Sequence, residues 1–124
     1  MNTLDFSADE LSVATARDDA TLTLTLTGTA DARVESELAR FLDRVHVQVL
    51  GETTDVVVVD IRELEFMNSS CFKGFITWIV RVRRLPDGDQ YKIRFRSSRA
   101  YHWQKRSLHA ISYFGGDLVE ITDA

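Results

Sequence analysis

Four consecutive valines, Val56 to Val59, stand between Asp55 and Asp60. A β-branched run with no polar alternation suits a strand buried on both faces, the situation of an inner strand in a partly parallel sheet. Downstream, Phe72, Phe75, Ile76 and Ile79 recur at helical spacing, so the chain turns from strand to helix between Asp60 and Phe72. Asn68, Ser69 and Ser70 lie at that turn. Hydroxyls there can cap the helix, and its free N–H groups and positive dipole end suit a phosphate. Ser70 therefore has two readings, a plain cap or a phosphorylation switch.

The flanking segments extend this unit in both directions. Residues 1–10 read as a loose start, and 11–124 as one domain. Leu11 to Ala16 is a short strand. Thr21 to Thr27 alternates threonine and leucine without a break, the pattern of a half-buried strand in a hairpin. Gly28 ends it. Asp31 opens a helix to about Leu50, with Val34, Leu38, Phe41, Leu42, Val45 and Val49 along one stripe, and Gly51 closes it. After the central strand from Asp55 to Ile61 comes a helix from about Ser70 to Arg84. Leu85 to Asp89 is a turn, and Tyr91 to Arg96 alternates as a strand. Ser98 is placed to cap a third helix that ends at Gly115-Gly116, and Leu118 to Thr122 is a final strand. The order β-β-α-β-α-β-α-β predicts an α/β fold, a mixed sheet of four or five strands with helices mainly on one face.

The net charge of −4 is unevenly spread: Met1 to Phe72 carries −9, Lys73 to Arg106 carries +8, and the remainder −3. One end of such a domain is basic and another acidic, either a solvated face or a steering surface. No apolar run approaches the roughly 20 residues of a membrane helix, and the start lacks the regions of a signal peptide. The single Cys71 has no disulfide partner within the chain. These features point to the cytoplasm. His46, His102 and His109 fall at no metal-binding interval, so neither metal nor cofactor is expected. Tyr101-His-Trp103, among Arg99, Lys105 and Arg106, matches a nucleic-acid stacking patch only loosely, and an acidic chain argues against nucleic acid.

The segment from Asp55 to Val80, with the order of elements around it, resembles the STAS domain, the fold of bacterial anti-sigma factor antagonists. In that family a strand ending in aspartate leads through an apolar pair into Asp-Ser-Ser-Gly at a helix start, and the second serine is phosphorylated. Asp60, Phe66-Met67 and Asn68-Ser69-Ser70-Cys71 are similar to those features, which puts Ser70 in the phosphorylated place. Gly28-Thr-Ala-Asp31 is similar to a further family feature, an aspartate beside the switch loop. The resemblance implies a non-enzymatic partner-switch protein with two protein partners: a serine kinase of the anti-sigma type, and a resetting serine phosphatase. Asn68 stands where the family has an acid, and Cys71 where it has glycine. These departures suggest a divergent branch with its own partner.

Ser70, with Ser69 as second choice, is the expected phosphorylation site, and Asp31, Asn68, Cys71 and Trp78 are the candidate partner-binding residues. Trp78 falls outside the apolar stripe of its helix, which fits either a contact surface or a flank packed on a neighbouring helix. A cysteine near a helix start is expected to have a lowered pKa. Core or half-buried packing is nevertheless the better reading of Cys71, since no His-Asp pair accompanies it, and a thiol enzyme is a weaker alternative. Another alternative is a STAS-type module that binds a ligand or scaffold partner without phosphorylation.

Overall fold

The alternation in Thr21–Ala30 settles which side of the sheet is covered. Leu22, Leu24 and Leu26 are buried, whereas Thr21, Thr23 and Thr25 are only partly so. The computed structural model describes residues 5–123. Strands β1 (Phe6–Ala8), β2 (Leu11–Asp18), β3 (Thr21–Ala30), β4 (Val56–Met67), β5 (Lys92–Ser97) and β6 (Val119–Asp123) form one sheet in that spatial order. The first two pairings are antiparallel, and β3–β4, β4–β5 and β5–β6 are parallel. Helices α1 (Glu35–Leu50), α2 (Ser69–Arg83) and α3 (His102–Gly115) make the parallel crossovers, with α2 packed between the other two.

Register explains the core. Leu22, Val57, Ile93 and Val119 pair successively across four strands and lie in the apolar cluster beneath the helices. The next row, Thr23, Val58, Arg94 and Glu120, takes the opposite face, because side chains alternate along a strand. That face carries Asp60, which is 5% exposed and held between Arg62 (2.8 Å) and Arg96 (3.7 Å).

The sheet has six strands, not four or five. Phe6–Ala8, inside the stretch expected to be loose, pairs with β2, and Phe6 stacks on Phe41 of α1 at 5.3 Å between ring centres. Three residues carry no periodicity, so this strand has no sequence signal of its own; Met1 to Leu4 of that stretch lie outside the described residues. Strand β4 continues past Ile61 to Met67, absorbing two register shifts against β3, at Thr25/Thr27 and Gly28/Thr29. Gly28 has φ +101°, and a Cβ there would run into the Glu10 carbonyl oxygen, so the close pass of the β1–β2 turn requires glycine.

Candidate functional site

In a parallel pair the C-terminal ends of the strands lie together, so β3 and β4 deliver Asp31 and Asn68 to the same end of the sheet. The Asn68 N–H donates to the Ala30 carbonyl at 2.7 Å, and the Cys71 thiol donates to the Asp31 carbonyl at 3.3 Å. Asp31 starts a short 3-10 turn (Ala32–Val34) rather than α1 itself; its carboxylate accepts from the Arg33 N–H and guanidinium, at 2.9 and 2.7 Å. These hydrogen bonds hold the Asp31 carboxyl below the usual carboxylate range.

Asn68, not Ser70, caps α2. Its backbone is extended, and its Oδ1 accepts both the Ser70 N–H (2.8 Å) and the Ser70 hydroxyl (2.7 Å). The carboxamide does what the sequence reading gave to the serine, since a side chain one residue before the helix reaches the N–H groups of its first turn. Ser69 is exposed at the first helical position, and Ser70 is half-buried at the second. Ser70 also lies at the rim of a groove of about 220 Å³ between α1 and α2, with Glu35, Asp43, Lys73, Gly74 and Arg81 around it. Lys73, one helical turn below Ser70 and exposed, was missed from sequence although its i+3 spacing was there to be read.

Two candidate contact residues are part of the floor and not the surface. Cys71 and Trp78 are each 1% exposed. Burial, followed by the negative charges of Glu35 and Asp31, pushes the Cys71 thiol up to about 11, opposite to the lowering expected at a helix start. The Cys71 side chain is packed against the Asp31 carbonyl within the floor of the site. Trp78 donates its Nε1–H to the Tyr91 hydroxyl at 2.8 Å, and that hydroxyl shares a 2.7 Å hydrogen bond with His46 Nδ1. Packing took the tryptophan because a polar partner for its ring nitrogen was available inside. An aromatic that does reach the surface beside the site is Phe66, 47% exposed two residues before Asn68.

Ser98 does not cap α3: its hydroxyl accepts from the Ala100 N–H, and Tyr101 stands at the cap position with no side-chain bond. Among the described residues no group of three or more His, Cys, Asp or Glu is placed to hold a metal ion, and no helix is long and apolar enough to cross a membrane.

No protein-family model matches the chain, and no curated protein matches its sequence. Solved structures do match its backbone. An anti-sigma factor antagonist from Mycobacterium paratuberculosis superposes with a TM-score of 0.65 at 13% identity, over 93% of this chain and 90% of that one. The fold is that of the anti-sigma factor antagonists. Unphosphorylated SpoIIAA, also an anti-sigma factor antagonist, matches with a TM-score of 0.61 at 15% identity, over 90% of this chain and 87% of that one. The phosphorylated form of the Bacillus protein gives 0.58 at 14%, over 90% of each. A chain in the complex of the diguanylate cyclase SiaD with its activator SiaC, from Pseudomonas aeruginosa, gives 0.61 at 10%, over 97% of this chain and 98% of that one. Similarity over nearly the whole length carries the STAS-like architecture to this chain.

Proposed function

We propose that this chain is a non-enzymatic partner-switch regulator whose surface around Asn68, Ser70 and Phe66 binds a protein partner and is turned off by phosphorylation of Ser70, with Ser69 as second choice. The observation that carries the reading is the placement of Ser70 in the first turn of α2, beside Asp31 and at the rim of the α1–α2 groove. A phosphate at that position adds about −1.5 to −2 charge. The helix dipole accommodates it within the fold, and Lys73 stands one turn away on the same face. A partner closing over the groove has to strip water from that charge, at roughly 2–5 kcal/mol, or about 30-fold to several thousand-fold in affinity. The fold likeness to anti-sigma factor antagonists supports a serine kinase and a serine phosphatase as the modifying partners.

The experiment is a pull-down from native lysate with wild type, Ser70→Ala and Ser70→Asp, together with mass spectrometry of the peptide containing residues 68–71. Ser70→Ala is expected to keep the partner and Ser70→Asp to lose it, with phosphate found on the native peptide. Equal recovery by all three variants would reject the switch. The likeness to a chain of the SiaD–SiaC complex favours a second reading, constitutive scaffolding through the same surface. In that case Phe66→Ala abolishes partner recovery while both Ser70 variants retain it.

A further inference from the structure

The helix layer leaves the last strand of the sheet incompletely covered. Val119 packs beneath Gly115 of α3, but Ile121, two residues on and on the same side of β6, is 39% exposed. Beside it a groove of about 590 Å³ runs between α3 and β6, floored by Leu108 and Ile121. Its helix wall is cationic or imidazole throughout: His102, Lys105, Arg106 and His109 follow one another at i, i+3, i+4 and i+7, so they form one stripe. All four are exposed, and among the described residues none takes part in an ion pair or a side-chain hydrogen bond. Asp123, at the far end, is already engaged by Ser97 (2.8 Å) and Arg99 (3.7 Å). Among the described residues β6 pairs only with β5, so its outer backbone donors and acceptors have no strand partner there.

We propose that this groove binds an acidic segment of a partner protein in extended conformation, added as a seventh strand to the outer edge of β6. The edge supplies main-chain hydrogen bonds, the apolar floor takes one inward side chain, and the α3 stripe takes acidic side chains before and after it. Dimensions agree. Seven helical residues span about 10 Å, and two carboxylates that flank one inward side chain on the same face of a strand stand about 14 Å apart, a difference that the long lysine, arginine and glutamate side chains span. The surface is separate from the Ser70 rim, so it stands or falls independently of the switch.

The test is fluorescence-anisotropy titration of the full chain with a fluorescein-labelled peptide containing Glu-Thr-Val-Thr-Glu, which sets one valine between two glutamates on a single face of a strand, beside a peptide in which proline replaces both threonines. The first is expected to bind and the second, which keeps the charge but loses alternate N–H donors, is not. Lys105→Glu with Arg106→Glu should weaken binding by at least about tenfold, with a thermal melt unchanged because both positions are exposed. Amide hydrogen exchange in residues 119–123 should slow on binding. Equal affinity for the proline peptide, full affinity in the charge-reversed variant, or unprotected β6 amides would each overturn the proposal. Stronger binding of a short RNA or of anionic phospholipid vesicles than of the threonine-containing peptide would overturn it as well.

Discussion

Asn68 and Ser70 separate two roles that a single capping serine would combine. The carboxamide satisfies the helix N–H, and the hydroxyl merely leans on the same oxygen. Asn68→Ala should therefore cost about 1 kcal/mol, a fall in melting temperature of roughly 4 °C. Ser70→Ala, losing one half-exposed hydrogen bond, should cost about 0.5 kcal/mol. Calorimetry of the two variants checks that order, and a reversed order would return the cap to the serine. His46 supplies a pH signature. Burial, then the charge of Arg81, lowers its pKa below 6.5 in the folded chain, against a weaker raising by Asp43. The unfolded chain thus takes up its proton first on acidification. The contribution of His46 is fully present above about pH 6.5 and declines as pH falls toward the lowered folded value. Urea midpoints should drop from pH 7.5 to 5.5 in wild type, and His46→Asn should flatten that slope. Asp60 acts in a lower window. Burial raises its pKa, but the Arg62 hydrogen bonds and the charges of Arg62 and Arg96 outweigh this, leaving the pKa below 3.8. Its stabilisation is present above that value and is lost as pH falls through the lowered one.

Among the elements, β4 has the most to hold in place, since it bends past two register shifts and still has to deliver Asn68 to the helix start. Gln104 of α3, fully buried, makes that bend possible: it donates to the carbonyls of Ile61 (2.6 Å) and Leu64 (3.0 Å) and accepts from the Ser98 N–H. Gln104→Leu would leave three buried backbone groups without that partner and should destabilise the chain by about 1–3 kcal/mol or more, read as a fall in urea midpoint. Gly28→Ala should cost a similar amount, about 1–3 kcal/mol, from its left-handed backbone and the pressing Glu10 carbonyl. Periodicity made the helices, the threonine–leucine strand and the valine strand legible, because each repeats a contact with one core. Gln104 was illegible for the opposite reason: its partners are backbone groups on a distant strand, and a lone glutamine in a helix carries no pattern. Trp78 and His46 were hidden similarly, each placed by Tyr91, which belongs to neither of their helices. At the candidate site the serines could be read from the strand-to-helix turn. Which side chain capped and which faced solvent depended on packing that local spacing does not encode.

Across the whole molecule, the parallel crossovers put the N-termini of all three helices at the end that carries Asp31 and Ser70, with the charged stripe of α3 displaced toward the β6 edge. Two surfaces built on different helices and joined by a packed core are expected to bind without mutual effect, because coupling requires a state change that both ligands bias. Ser70→Asp should shift the affinity of the acidic peptide by less than about twofold; a larger shift would reveal a second conformation of the domain. The sheet has one more property of this scale. Its strands lie side by side in the order in which the sequence writes them, so no later strand has to be inserted between two earlier ones. A chain leaving the ribosome can lay down the β2–β3 hairpin and then add each crossover unit to an edge already formed. Assembly proceeds by growth at one margin, and the last strand to be made keeps its outer margin open.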